Sequence, residues 1–228
     1  EKSTERAEHM KQWTCLLLAA LLLLTPAMAL EQPTDEELKI SAPSAILMER
    51  STGTVLYEKN ADEHMSPASV TKIMTLLLTM EAIDSGTIGY DDVVTVSAYA
   101  AGMGGSQVYL AEGEQITVEE LLKAVCVASG NDAAAALAEK VAGISDRFVE
   151  KMNQRAAELG MNDTHFANCT GLTAEGHVTS AHDIAVMSRE LILKHPDIRR
   201  FLRIRLCTDT GQQIFFQCKW CGTFDDSI

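Results

Sequence analysis

The 228-residue chain is 46% hydrophobic and 22% charged, a composition suited to a globular protein with one sizeable core. Its net charge of −13 argues against a nucleic-acid partner, which would require a basic face. The six cysteines follow no spacing that demands a disulfide framework or a zinc site.

Residues 1–9 precede the first methionine and read as upstream sequence. From Met10 the pattern is that of a secretory leader: Lys11 is the basic start, Cys15 to Leu24 the short apolar core, and Ala27-Met28-Ala29 a small-residue cleavage site. The apolar run is too short to span a bilayer comfortably, and Cys15 lies ahead of it rather than at its end, unlike a lipoprotein anchor. Cleavage after Ala29 and export are expected, which leaves about 199 residues, of which 30–201 read as the folded domain.

After a polar lead-in over Glu31–Ile40, Ala45–Glu49 and Thr54–Glu58 read as two strands joined by a Ser51-Thr52-Gly53 turn. A helix is then predicted from Ser66 to about Ile83, with Ser66 as its cap and Pro67 in the first helical position. Past Lys72 its apolar residues fall on almost every face, the mark of a central, buried helix. Asp91–Ser97 is a further strand candidate, Met103–Ser106 a Gly-rich loop, and Gln107–Leu110 an extended stretch. Thr117-Val118-Glu119-Glu120 is a capping box that starts a helix to about Val127. A polar break at Ser129-Gly130-Asn131 follows, then an alanine-rich helix over Asp132–Val141 stopped at Gly143. Taken alone, Ser129 and Asn131 read as caps of that helix, and Cys126 as a small buried hydrophobe. An amphipathic helix ends at Gly160, His165–Thr170 is irregular or short-stranded, and Thr179–Asp183 caps a helix to about Lys194. His177 and His182, with no carboxylate or cysteine at ligand spacing, read as surface or capping residues, and no metal site is expected.

The start of the central helix carries chemistry. Ser69 and Lys72, three residues apart, share one side of its first turn. A serine hydroxyl is a weak nucleophile until a base takes its proton, and a lysine held neutral by burial can be that base. Backbone N–H groups at a helix start favour a developing oxyanion. A lone Ser-x-x-Lys, however, arises by chance about once in a chain of this length.

Its context is more specific. Ser69-Val70-Thr71-Lys72 together with Ser129-Gly130-Asn131 resembles the low-molecular-weight penicillin-binding proteins, and more narrowly the serine-type D-alanyl-D-alanine carboxypeptidases. Thr52–Asn60, Pro67–Thr75, Val127–Ala133, Met161–Phe166 and Thr179-Ser180-Ala181 read like that family in the right order. The likeness covers roughly Ser41 to Phe201. It implies an α/β fold of the α+β type, in which an antiparallel sheet packs with a helical cluster as in the penicillin-binding and β-lactamase-like transpeptidases. It also implies that Ser69 attacks the penultimate D-alanine carbonyl of a peptidoglycan stem peptide, Lys72 accepts its proton and Ser129 relays a proton to the leaving D-alanine. Asn131 would hold Lys72 and the substrate backbone. β-Lactams would be inhibitors, no cofactor would be needed, and the work would lie outside the cytoplasmic membrane.

Two departures stand out. The family's Lys-Thr-Gly motif is missing, and the nearest string, Asp209-Thr210-Gly211, sets an anion where a cation should meet a carboxylate. Beyond about Phe201 the composition changes, with Cys218-Lys219-Trp220-Cys221 as half a zinc or redox motif lacking its other half. Residues 202–228 therefore read as a frameshifted tail, and the chain as the front of a longer enzyme whose C-terminal domain and membrane-anchoring helix are missing. Membrane association is expected only through that missing region, and a sheet so truncated is expected to limit solubility. A β-lactam-hydrolysing enzyme and a catalytically dead exported binding protein are the competing readings.

Overall fold

Helix α1 (Lys72–Asp84) is the axis of the domain, with Met74, Leu77 and Met80 fully buried and its remaining faces covered almost throughout. The computed structural model describes residues 40–204 and the backbone of two short strands, Leu206–Cys207 and Gln213–Ile214. The leader pattern of Met10–Ala29, Asp209-Thr210-Gly211 and Cys218–Cys221 lie outside the described residues.

The chain enters through an antiparallel hairpin, β1 (Ala45–Met48) and β2 (Val55–Lys59), paired Ala45↔Lys59 to Leu47↔Tyr57 with a bulge before Met48. The turn between them closes on Glu49, whose carboxylate accepts the Ser51 and Thr52 N–H groups at 2.9 and 2.6 Å. Those donors and the two hydroxyls beside them hold the Glu49 carboxyl down at about 2. A second ladder joins β3 (Val93–Thr95) to β4 (Gln115–Thr117), and the short helix α2 (Ala98–Ala101) follows β3. The strand expected over Asp91–Ser97 is shorter, because Ser97 turns to cap α2 through the Ala100 N–H.

Helix α3 (Val118–Ala128) begins with the expected capping box, Thr117 and Glu120 satisfying each other's backbone N–H groups. Helix α4 (Asn131–Ala142) buries Ala133 to Ala138 completely, since small side chains let it lie close against α1, α3 and α5 (Ser145–Glu158). Gly143 and Gly160 end α4 and α5 at φ +83° and +74°, as their positions predict. Helix α6 (Ala181–Lys194), capped by Ser180, packs on both α1 and β1 and so joins the helices to the sheet. Its Arg189 donates to the Arg50 and Ser51 carbonyls in the hairpin turn (2.7 and 2.9 Å). Arg155 of α5 ties Glu81 of α1 to Glu190 of α6, each at 2.8 Å. A one-turn helix, α7 (Arg199–Leu202), closes over α3 with Phe201 buried. Cys126 is half-buried against the core, and Cys169, fully buried, has its thiol pushed up to about 11 by that burial.

Candidate active site

The turn that carries Ser69 differs from a simple helix start. Ala68–Thr71 forms one turn of 3₁₀ helix, and the α-helix begins only at Lys72. Ser66, exposed, is not its cap: the N-cap is Pro67, with no side-chain hydrogen bond. The turn is tight because Ala68 sits at φ +47°, a left-handed value that costs a non-glycine residue of order 1 kcal/mol or more. Such local strain persists only where its surroundings over-determine it.

Ser69 is exposed, whereas Lys72 is only 3% exposed. The Lys72 amine lies 3.4 Å from Ser69 Oγ and donates at 2.7 Å to the Thr170 carbonyl. Burial pulls the Lys72 pKa from 10.5 down to about 8 against a smaller, opposite effect of Cys169 nearby. Roughly a tenth of the molecules then carry a neutral amine at pH 7, a useful population for a proton acceptor.

The segment expected to be irregular over His165–Thr170 is the wall of this site. The Asn168 carboxamide oxygen accepts from the N–H groups of Thr170 and Gly171 at 3.1 and 2.7 Å, and also from the Thr170 hydroxyl. Asn153 pairs both backbone groups of Phe166 at 2.8 Å. Gly171, at φ +90°, lies so close to the Ser69 turn that a Cβ there would sit 1.8 Å from the Ala68 carbonyl oxygen. Only glycine fits.

Ser129 and Asn131 lie at the junction of α3 and α4. The capping reading fails for both: Gly130 is the N-cap of α4 without a side-chain bond, and Ser129 ends α3 in the left-handed conformation at φ +55°. Asn131, 4% exposed, donates through its amide to the Gly104 carbonyl at 2.6 Å and through its backbone to the Ser106 carbonyl at 2.7 Å. Among the described residues Lys72 bonds Ser69 and Thr170, and not Asn131, whose amide N–H turns to the Gly104 carbonyl instead. Ser69 and Lys72 are thus brought together, while Asn131 borders the Gly-rich loop and Ser129 stands at the end of α3. A Cβ on Gly105 of that loop would touch both Asn131 and Leu172, which sets the loop beside the 168–172 wall.

Several site residues escaped the sequence. Thr170 acts through a backbone carbonyl, which leaves no mark in residue identity. Asp132, 1% exposed, accepts from the Val108, Leu110 and Ala133 N–H groups. This is why Gln107–Leu110 is no strand: its N–H groups turn inward to a carboxylate, and Tyr109 is thrown outward at φ +61°. His177 contradicts its surface reading. It is 3% exposed and bonded to Thr71 and Ala167. His182 is a partly exposed residue of the first turn of α6, as expected.

A family model described as D-alanyl-D-alanine carboxypeptidase matches residues 28–217. The chain belongs to that family. D-alanyl-D-alanine carboxypeptidase DacF of Bacillus subtilis is 50% identical over 196 residues, which cover 84% of this chain and 50% of the relative. The crystal structure of penicillin binding protein 6B from Escherichia coli superposes with a TM-score of 0.74 at 38% identity, covering 87% of this chain and 63% of that one. Penicillin-binding protein D2 from Listeria monocytogenes, solved in an ampicillin-bound form, is 30% identical with a TM-score of 0.67, covering 80% of this chain and 73% of that one. The carboxypeptidase-family chain spans about half the length of the curated relatives it matches. The α/β penicillin-binding fold expected from the sequence is the fold observed.

Proposed function

We propose that this protein removes the terminal D-alanine from peptidoglycan stem peptides through an acyl-enzyme on Ser69. One observation carries the reading: an exposed hydroxyl stands 3.4 Å from a buried, carbonyl-anchored amine whose titration burial has lowered to about 8. Ser69 Oγ attacks the penultimate D-alanine carbonyl carbon and its proton passes to Lys72. The tetrahedral intermediate then breaks its C–N bond, and the departing D-alanine amine takes a proton relayed by Ser129. Water attacks the ester with Lys72 again as base, which frees the shortened peptide and restores Ser69. Asn131 is assigned to the substrate side of the cleft, where its backbone and amide stiffen the Gly104–Ser106 loop. The leader pattern of Met10–Ala29 supports action outside the cytoplasmic membrane, in cell-wall synthesis and remodelling. The ampicillin-bound relative supports β-lactams as inhibitors of this chain too.

The β-lactam-hydrolysing alternative draws less support. Such enzymes usually carry aspartate between the serine and asparagine of the second motif, and a Cβ at Gly130 would already lie 2.9 Å from the Asp132 carboxylate. An aspartate there would set two carboxylates against each other. The dead-binding-protein alternative finds no favouring observation at Ser69 and Lys72, which keep their geometry.

The test is release of free D-alanine from a stem-peptide analogue ending in D-alanyl-D-alanine. Release that disappears in Ser69→Ala supports the reading. Binding of the analogue without release, by a folded chain, supports the binding-protein alternative. Catalytic turnover of a chromogenic cephalosporin with no D-alanine release supports the hydrolase alternative.

A further inference from the structure

His177 sits between the two segments that make the site. Its Nδ1 accepts the Ala167 N–H at 2.8 Å, so in the neutral ring the proton is on Nε2. That Nε2–H faces Thr71 Oγ1 at 2.8 Å and donates to it. Thr71 is fully buried and lies between Ser69 and Lys72 in the 3₁₀ turn. Ala167 opens the stretch in which Asn168 holds Thr170 and Gly171, and the Thr170 carbonyl receives the Lys72 amine. Each side of the imidazole therefore reaches a different part of the same constellation. Phe166 packs edge-on against the ring at 6.0 Å, and no more than 3% of the histidine is open to water.

We propose that His177 is a positioning residue, whose neutral imidazole ties the Ser69–Lys72 turn to the loop that presents the Thr170 carbonyl. The proposal rests on the reading of Ser69 and Lys72 as the reacting pair. The tie is a hydrogen-bond match: the neutral ring offers one acceptor to a backbone donor and one donor to a hydroxyl. Burial, with a smaller contribution from His165, lowers the ring's proton affinity and keeps that form. A charged ring would set a second N–H against the Ala167 N–H. Loss of the tie frees the Thr170 carbonyl to drift from Lys72, and Lys72 from Ser69. Misplacement on the scale of 1 Å costs a reaction about a hundredfold.

The test compares Thr71→Val, which keeps shape but removes the hydroxyl, with Thr71→Ser, which restores it, His177→Asn and the Thr71→Val/His177→Asn double variant. Thermal unfolding first shows which variants fold. Two quantities are then read in the full chain: the rate at which a fluorescent penicillin labels Ser69, and the titration of Lys72 by NMR of lysine labelled at Cε. Thr71→Val is expected to slow labelling about 10- to 100-fold and to move the Lys72 titration upward, with Thr71→Ser returning both towards wild type. The double variant should be no slower than the worse single variant, because both substitutions remove one connection. A folded Thr71→Val that labels at the wild-type rate with an unmoved Lys72 titration overturns the proposal, as do losses that multiply in the double variant. A wild-type chain that takes no label contradicts the Ser69 reading itself. The Lys72 titration then decides the tie alone, a shift in Thr71→Val supporting it and no shift overturning it.

Discussion

In the proposed role Lys72 has to be buried enough to lose its proton and anchored enough to face Ser69. The two demands meet at the Thr170 carbonyl, which replaces water for the amine while the surrounding apolar helices disfavour its charge. With Lys72 as the proposed base, the neutral amine is the competent form, and acylation of Ser69 should rise about tenfold per pH unit below the Lys72 pKa and level off above about 8. A rate that is flat from pH 6 to 9 would remove Lys72 from the role. The sign for folding is separate. Between about 8 and 10.5 the unfolded lysine holds its proton and the folded one does not, so stability should climb with pH across that window and be level with pH below it. Lys72→Arg keeps a positive charge that never becomes neutral, and labelling should drop by about 10²–10⁴-fold in a chain that still melts cooperatively.

At the scale of elements, the site is held by loops fastened to helices rather than by the helices alone. Gly171→Ala drives a Cβ into the Ala68 carbonyl and forces φ +90° on a residue that resists it. We expect a loss of about 2–4 kcal/mol in urea unfolding. A loss under about 0.5 kcal/mol would mean that the turn and the wall are not in contact. Asp132→Asn removes the carboxylate that gathers the Val108 and Leu110 N–H groups. Charged acceptors of this kind are worth about 1.5–3 kcal/mol each, so the variant should be less stable by a similar amount, with faster amide exchange concentrated at Val108 and Leu110. Helix ends set by near neighbours were legible in the sequence: the Thr117–Glu120 box and the stops at Gly143 and Gly160 each need only residues a turn away. Contacts that span the chain were not. Asp132 reaches back 24 residues to Val108, and His177 reaches 106 residues to Thr71, distances over which side-chain periodicity carries no information.

For the whole molecule, the same reason explains what the sequence yielded and what it withheld. Motif order identified the family and joined Ser69 to Lys72, because that pair lies within one turn. It could not show that Ala68 strains the turn, that a carbonyl rather than Asn131 anchors Lys72, or that a histidine read as surface is buried at the centre. These facts appear only when α1, the 165–172 wall and the α3–α4 junction are packed together. One core supports all three, so Leu77→Ala, at a fully buried position in α1, should cost about 2–5 kcal/mol in urea unfolding. Labelling of Ser69 should vanish along the same transition, and loss of labelling well before global unfolding would show that the site is a separate, looser unit.

The most direct test of the account is to expose the folded chain to a β-lactam and map the adduct by peptide mass spectrometry. One acyl group is expected on the peptide containing Ser69, present in wild type, absent in Ser69→Ala and much slower to form in Lys72→Arg. A folded chain that forms no adduct, or carries it on another residue, would contradict the claim that Ser69 is the nucleophile.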